Sequence, residues 1–590
     1  MQPAQALSDN STPPTDRETG FLLSWQRNDP LPSLHLPQSD PIKLKPEGLS
    51  CLVLSGWIAN RLELADSLDL PQPAADEHIL LALFERDGAA AASRLAGALS
   101  WVVWDGRQRQ VTACRDRLGL HALYYASPGA DTWLSTDLAL LSGRLPGSRR
   151  FNLASLITHL HTHSPQPGET WDEGIQVIQP GSLLVVTPQN CVTQRYWSIG
   201  PRPLLRLASD DEYAEAYRSL LFDVVRGYLS NQPLGVTLSS GMDSTSIAAA
   251  VRAVAPGADL LAVTYTSPEL PQAEELPLAR LAAEHLALPQ LTSRADLHWT
   301  LSGPQGLHTD RASPFLLYFE EMWDDILSIF QQQDVSLVFD GMSGDNLFGG
   351  SVFSYPDLLL TGRWRQLLRE FRYHLPRSPL KPTAFFAARS MIVSPIVRAY
   401  LPFLARRRDA PVPWLRREHL PFYWELSQPA RPPALMLPGR LQRLRHLSDP
   451  FIFQVAEHTT RRALARHGIQ LLRPLLDHRL FEFAAALPTT QTFRRGQRKI
   501  IMRNAMRGRL PDEIVDMWGK ITPEVISERG LRERETERIW SLMAHMRLAD
   551  CGLVDPEVLR QHYQDYLDGK HSDAVFWYTL TLEDWLRRYF

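Results

Sequence analysis

The chain has 590 residues, too many for one hydrophobic core, and its 44% hydrophobic and 22% charged residues are those of an ordinary globular protein of two or three domains. A formal net charge of -3 gives no global pull toward nucleic acid or a membrane surface, and no apolar run reaches the roughly 18 residues of a membrane span. Cys51, Cys114, Cys191 and Cys551 stand far apart without CxxC or Cys/His spacing, which indicates neither a zinc site nor a disulfide framework and suits a reducing cytosol. Residues 1–19, rich in Gln, Ser, Asp, Pro and Thr, lack the basic start and apolar core of a signal peptide and read as a flexible tail in a cytoplasmic protein.

From Phe21 to about Ser198 short apolar alternating runs recur between turn residues: Leu52-Val53-Leu54, Trp101-Val102-Val103-Trp104, Leu123-Tyr124-Tyr125 and Leu183-Leu184-Val185-Val186. They predict a sandwich of antiparallel strands with a few helices over residues 20–200. Three landmarks follow in order: Gly56-Trp57-Ile58-Ala59-Asn60-Arg61, then Leu95 to Asp105, then Arg115-Asp116-Arg117-Leu118-Gly119 running on to Tyr125. In sequence and spacing they resemble the glutaminase domain of asparagine synthetase and other class II amidotransferases. That resemblance implies a cysteine nucleophile at position 2 with its own α-amine as base. Here position 2 is Gln2, so the domain is expected to be an inactive scaffold that releases no ammonia from glutamine. His159, His161 and His163 alternate nearby; on a strand they would share a face and suit a metal, on a helix they diverge, and the surrounding Leu156 to Leu160 fits either.

Pro201 and Pro203 break the chain, and Ser209-Asp210-Asp211-Glu212 has the form of a capping box, so a second domain is expected over 205–590. Leu234 to Leu238 is an apolar run rich in β-formers; Ser239-Ser240-Gly241 stops it, and an alanine-rich helical stretch follows from Thr245 to Val251. A strand, a loop and a helix in that order present N–H groups and hydroxyls at the positive end of the helix, where a phosphate binds. No Gly-Lys-Ser/Thr closes this loop, so it is not the P-loop of kinase-like NTPases. Asp243 stands there instead, and a carboxylate beside phosphates makes sense if it holds Mg²⁺. Leu260 to Tyr265 reads as the next strand, which makes the sheet parallel and puts ligands at the carboxyl ends of its strands. Glu274 and Glu275 precede a further helix and are open to two readings, ordinary helix-start acids or an acidic position of the site. Leu337-Val338-Phe339 then leads as a buried strand into Asp340-Gly341-Met342-Ser343-Gly344-Asp345. The glycines let this loop close on a ligand, and Asp345 can share a metal with Asp243.

Ser239 to Ser244 resembles the Ser-Gly-Gly-x-Asp-Ser pyrophosphate loop of enzymes that cleave ATP between its α and β phosphates, with Ser240 in place of the first glycine. Gly341 to Gly350 resembles the Gly-Glu-Gly-x-Asp-Glu-x-Phe-Gly-Gly loop of asparagine synthetase, with Met342 where that family has a glutamate placed to help incoming ammonia. Arg473 to Asp477, whose aspartate has the form of an N-cap, and Gly496 to Arg503 complete the match. The resemblance implies an α+β N-terminal β-sandwich of class II amidotransferase type, followed by an α/β parallel-sheet ATP-pyrophosphatase domain with helical additions. It implies catalysis by Lys499, Asp243 and Asp345, with ATP held by Leu238, Ser239, Ser240, Gly241, Asp243, Ser244, Val263, Gly341, Ser343 and Gly344, and Mg²⁺ by Asp243 and Asp345.

Residues 361–435 depart from that pattern. Arg363, Arg365, Arg369, Arg372 and further cations are interleaved with Trp364, Phe371, Tyr373, Phe385, Phe386 and Trp414. The segment is open to two readings, a solvated helical insertion or a surface for an acidic or aromatic peptide, a partner protein or RNA. The thioether of Met342 takes no proton, which argues against ammonia as acceptor. The resemblance thus points to a lasso peptide macrolactam synthetase. Such an enzyme adenylates an Asp or Glu side chain of a precursor peptide, and the peptide's own N-terminal amine attacks. A leader peptidase and a leader-binding protein are the further partners this implies, with no nucleic acid. Asparagine synthetase, β-lactam synthetase and an inactive scaffold homologue are the alternatives; intact Asp243, Asp345 and Lys499 argue against the last.

Overall fold

The computed structural model describes residues 21–26, 29, 31–35, 48–145, 150–162, 165–302, 310–316, 318–374, 389–400, 411–426, 436–519, 521 and 523–590. The tail expected at 1–19 with Gln2, His163, and residues 375–388, 401–410 and 427–435 of the basic segment lie outside the described residues. No helix among the described residues is long and apolar enough to cross a membrane. The chain divides into two compact units, Met1–Arg150 with Pro167–Ser198, and Phe151–Gln166 with Ile199–Phe590.

The first unit is a sandwich. Its strands are β1 (Leu22–Gln26), β2 (Ser33–His35), β3 (Leu49–Gly56), β4 (Leu99–Asp105), β5 (Gln110–Arg115), β6 (Tyr124–Ala126), β7 (Asp131–Ser135), β8 (Gln176–Val177), β9 (Ser182–Val186) and β10 (Cys191–Arg195). They form two antiparallel sheets, in the orders β2-β1-β7-β6-β8 and β10-β9-β5-β4-β3. Trp101-Val102-Val103-Trp104 in β4 carries no polar residue, so both faces of that strand need cover. Val102 and Trp104 pack with Leu23, Trp25 and Leu134 of the other sheet, while Trp101 and Val103 pack with Ile79, Leu83 and Phe84 of helix α1 (Asp76–Asp87). Edge-to-face pairs fix the strand on each side, Trp25–Trp104 at 5.4 Å and Phe84–Trp101 at 5.9 Å.

Residues 151–166, read from sequence as part of the first domain, group instead with the second unit. Helix α2 (Leu153–Thr162) buries Leu156, Ile157 and Leu160 and packs against the C-terminal helix, and Phe151 meets Phe590 edge-to-face at 6.0 Å. His159 is buried, and it stands with His161 on α2, where residues two apart do not share one face.

The second unit is built on a parallel sheet of β11 (Leu234–Thr237), β12 (Leu260–Thr266), β13 (Gln290–Arg294), β14 (Leu337–Phe339) and β15 (Gln470–Leu472) in the order β13-β12-β11-β14-β15. The chain lays down three strands in one direction and then returns to the other side of β11. A crevice opens where the order reverses, at the carboxyl ends of β11 and β14. Its helices include α3 (Asp210–Arg226), α4 (Met242–Val254), α5 (Leu276–His285), α6 (Glu320–Gln332), α7 (Gly344–Phe348), α8 (Trp364–His374), α9 (Pro438–Leu447), α10 (His478–Ala486), α11 (Ile500–Met506) and α12 (Phe576–Tyr589). Two of them start as their sequences predict. Ser209 Oγ accepts from the N–H of Glu212, while the Glu212 carboxylate reaches the N–H of Ala208, one residue beyond a closed capping box. Asp477 caps α10, accepting from the N–H of Arg479 at 2.9 Å.

Where it is described, the basic segment is largely helical, and its aromatics divide. Trp414 belongs to the core, its indole N–H donating to Thr579 Oγ1 at 2.9 Å, and Phe371 packs on Tyr355. Trp364 is 58% exposed among the exposed Arg363, Arg365, Arg369 and Arg372.

Candidate active site

After β11 the N–H of Leu238 still donates to the carbonyl of Val263, and the chain then turns sharply into α4, whose N-cap is Gly241. Two hydroxyls shape the turn. Ser244 Oγ accepts from the N–H of Ser239 at 3.0 Å, Ser239 Oγ accepts from the N–H of Gly241 at 3.2 Å, and the two oxygens are 2.8 Å apart. The N–H of Ser240 donates to Glu275 Oε2 at 2.8 Å. The N–H groups at 239–241 expected to face an anion are thus engaged within the protein. A phosphate oxygen that takes a bond from Ser239 or Ser244 replaces a hydroxyl–hydroxyl contact with a charge-assisted one, at the positive end of α4. Ser240 is buried and has no positive φ, so a serine fits where the resemblance has glycine.

The loop after β14 closes against the first one through its glycines. A Cβ on Gly341 would lie 2.5 Å from the backbone nitrogen of Ser244, and one on Gly344 would lie 2.0 Å from Asp243 Oδ1. The Asp243 carboxylate therefore rests on bare backbone. Lys499 Nζ donates to Asp243 Oδ2 at 2.8 Å and lies 2.9 Å from Asp345 Oδ1, so one ammonium is shared by two carboxylates from neighbouring strand ends. The Lys499 side chain is 9% exposed and that of Asp345 32%, which puts the cation at the base of the site and the second carboxylate at its mouth. Ser343 at φ 80 and Lys499 at φ 59 both hold left-handed backbone conformations that are uncommon for residues with a side chain. Local strain thus sits at the residues that set the two charges.

This donor set fits Mg²⁺. Two hard carboxylate oxygens converge on one cation-sized position, and the bare Gly344 backbone keeps that position clear. Among the described residues no group of three or more His, Cys, Asp or Glu side chains is placed to hold an ion, which leaves the rest of the shell to phosphate oxygens and water.

The charges open onto a cavity of about 670 Å³, within the range of small-molecule sites. Leu238, Ser239, Gly241, Asp243, Ser244, Val263, Gly341, Ser343, Asp345 and Lys499 all line it, as does Met342. Ser240 and Gly344, also read from sequence as nucleotide contacts, stand behind the wall: Ser240 faces Glu275 and Gly344 backs Asp243. The opposite wall is apolar, with Tyr265, Phe319, Met322, Trp323 and Ile326, and suits a flat heterocycle.

Three supports take their roles only from the structure. Glu275 is 4% exposed, receives the Ser240 N–H and the Tyr265 hydroxyl, and so belongs to the site rather than to a solvated helix start. Burial, with Glu275 beside it, pushes the Tyr265 hydroxyl well above its ordinary range, so the phenol stays protonated and donates. Asp340 and Arg473 form a buried pair at 2.9 Å, and Asp340 Oδ1 also accepts from the N–H of Met342 at 3.2 Å, which holds the second loop in place. The pair was foreshadowed by register: Phe339 and Leu472 are partners in the sheet, so the next residues emerge side by side. Arg503, 7% exposed, lines the cavity and donates to the carbonyl of Arg498 at 2.9 Å, fixing the turn that carries Lys499.

A doubly wound parallel sheet with two loop carboxylates and a lysine at its switch point is the frame of a nucleotide-using ligase domain, and the comparisons agree. Residues 216–587 match the asparagine synthase family and residues 37–197 the glutamine amidotransferase domain, so the chain belongs to the asparagine synthase family and carries an amidotransferase-type domain before it. The match runs well past Arg503, the last of the motif residues, through helices that carry no motif. Among curated proteins the chain is 30% identical to amidase chry2 of Gibberella zeae over 184 residues, 30% of this chain and 26% of that protein. It is 21% identical to glutamine-hydrolyzing asparagine synthetase 1 of Bacillus subtilis over 315 residues, 51% of this chain and 47% of that one. The chain thus spans between a quarter and a half of the length of these relatives. A solved glutamine phosphoribosylpyrophosphate amidotransferase from B. subtilis aligns at 11% identity over 55% of this chain and 85% of its own with a TM-score of 0.23.

Proposed function

We propose that the second unit is an ATP-dependent, AMP-forming amide ligase that adenylates an Asp or Glu side chain of a precursor peptide and yields a macrolactam when the peptide's N-terminal amine attacks. The observation that carries the adenylation is the convergence of Asp243 and Asp345, from adjacent parallel strand ends, on Lys499 in a ligand-sized cavity. Asp243 and Asp345 would hold Mg²⁺, which neutralises phosphate oxygens when bound. Lys499 would donate to the phosphoryl oxygens as charge builds there, and its burial keeps that donor in a poorly solvated setting.

The choice of acceptor follows from Met342, which lines the cavity and offers no proton acceptor. Free ammonia would then have to arrive unassisted, whereas an amine on the same bound peptide competes at a high effective concentration. A leader peptidase and a leader-binding protein are the partners this role calls for, and the cytoplasm is its compartment. The test is to incubate the protein with Mg-ATP and candidate precursor peptides from which any leader has been removed, and to weigh the products. Loss of one water from a peptide together with AMP and pyrophosphate is the expected outcome. ADP in place of AMP, or asparagine formed from aspartate and ammonia, would overturn it.

A further inference from the structure

A second, smaller cavity of about 180 Å³ adjoins the first, and Asp345, Asn346 and Arg498 line both. Its wall includes Arg443, which is 8% exposed, and Ser354, which is 3% exposed. Arg443 donates to the carbonyl of Ala484 and to Thr492 Oγ1, and Arg498 donates to the carbonyls of Gly349 and Gly350. Both guanidinium groups are thus spent on neutral acceptors, and no ion pair of either is found among the described residues. Burial holds Arg443 down, to about 10, although the buried Asp357 carboxylate nearby acts the other way. His446, also in the wall, is held below its ordinary value chiefly by burial, so it adds no charge near neutrality. The buried hydroxyl of Ser354 has no hydrogen-bond partner among the described residues.

Two guanidinium groups that donate only to neutral acceptors and a buried hydroxyl without a partner, on one small cavity, describe half of a binding site. We infer that this cavity is the subsite for the carboxylate the enzyme activates, received by Arg443, Arg498 and Ser354 beside Asp345. The inference rests on the ligase reading above and names where the acidic side chain docks. Guanidinium groups bind carboxylate and phosphate alike. The small volume suits the one carboxylate of a side chain better than a pyrophosphate. The volume admits one side chain and excludes a folded peptide segment, so the rest of the substrate must lie outside it.

The probe is N-acetyl-aspartic acid amide, which carries a single free carboxylate, with N-acetyl-asparagine amide as its neutral isostere and inorganic pyrophosphate as the competing anion. Binding is measured by calorimetry and ligand-observed NMR on the full chain, with Mg-ATP titrated separately. The wild type should bind the acid and not the amide. Arg443→Gln should weaken the acid about ten- to hundredfold, the worth of a charge-assisted hydrogen bond. Because Arg443 also supports a helix end, Ser354→Leu is the second variant: it fills the cavity, breaks no described bond, and should weaken the acid similarly while Mg-ATP affinity is unchanged. Unchanged binding of the acid in Ser354→Leu, equal binding of acid and amide, or a loss confined to pyrophosphate overturns the subsite. Failure of the wild type to bind Mg-ATP overturns the ligase reading instead, and the acid titration still decides the subsite.

Discussion

In the first unit the segment that ends β5, Arg115-Asp116-Arg117, spends its charges on the main chain, whereas in the second the segments after β11 and β14 aim theirs at one another. Arg115 donates to the carbonyls of Ile178 and Gly119, Arg117 to those of Leu95 and Ser93, and Asp116 accepts from the N–H groups of Leu118 and His121. Those partners are fixed backbone atoms, and a ligand gains nothing by approaching them. Asp243, Asp345 and Lys499 satisfy one another through movable side chains on a cavity wall, and each exchanges its partner for a ligand atom at little cost. Two segments that resemble family motifs equally well thus differ in what their charges are free to do.

The largest effect expected from breaking this contrast is on chemistry alone. Asp243→Asn and Asp345→Asn should each lower AMP formation by about 10³-fold or more, since a metal clamp supplies several kcal/mol of charge stabilisation, while thermal unfolding stays near that of the wild type. Near-normal AMP production by either variant would show that the clamp is misassigned. Lys499→Ala comes next, with a loss of about 10² to 10³ from removal of one transition-state donor. It also leaves two carboxylates facing each other, so added Mg²⁺ should raise the melting temperature of Lys499→Ala more than that of the wild type, and EDTA should cancel the difference. Equal responses to Mg²⁺ would mean that the ammonium and the metal do not share a site.

What the sequence made legible, and what it hid, follows from how each residue does its work. The β11–α4 turn was readable because an apolar run that stops at Ser-Ser-Gly before an alanine-rich stretch has few other folds, and Asp243 stood out as the wrong charge for a P-loop. Lys499 was readable only by likeness, since nothing local announces that its backbone turns left-handed and carries the ammonium to two distant loops. Glu275 was left between two readings because a buried acid and a solvated helix-start acid have the same sequence, and only the Ser240 and Tyr265 donors tell them apart. Trp414 looked like part of a basic aromatic surface and proves to be core, because a segment's composition does not say which face its aromatics take. Arg443 and Ser354 lie on helices without any motif, so the smaller cavity had no signal in the chain at all.

A matched pair of glycine substitutions sharpens the contrast between the units. Gly97→Ala in the first unit sets a Cβ 2.2 Å from the carbonyl oxygen of Trp57 at φ +112, a clash with backbone that cannot move aside. It should cost about 1–3 kcal/mol or more of stability, read by chemical denaturation. Gly344→Ala meets the movable carboxylate of Asp243 instead, so the fold should yield by displacing that group. The expected result is a small change in melting temperature with roughly a hundredfold loss of AMP formation, the effect of misplacing a reacting group by about 1 Å. The reverse pattern would mean that Asp243 is held for stability and not for chemistry.

The smallest effect concerns two buried carboxyls, one in each unit, that burial pushes up to about 6: Asp116 and Asp357. In each the folded value lies above the 3.8 of the free group, so between about pH 4 and 6 the folded chain holds a proton that the unfolded chain has released. The stabilising contribution is complete below about pH 4 and is lost as the pH rises through about 6. Removing either acid should therefore flatten the fall in stability across that window, by an amount on the order of 1 kcal/mol. The two sites part company in what replaces the acid. Asp357 accepts from the N–H of Gly439 and from the hydroxyl of Thr489, and a hydroxyl can turn to accept from an amide, so Asp357→Asn should lose the slope and little else. Asp116 accepts from two backbone N–H groups, so the amide of Asp116→Asn must point a donor at a donor, and this variant should lose the slope and a further 1–3 kcal/mol at every pH. Unfolding curves of both variants and the wild type at pH 4.5 and 7.5 decide it: an unaltered slope in Asp357→Asn would place the titrating group elsewhere.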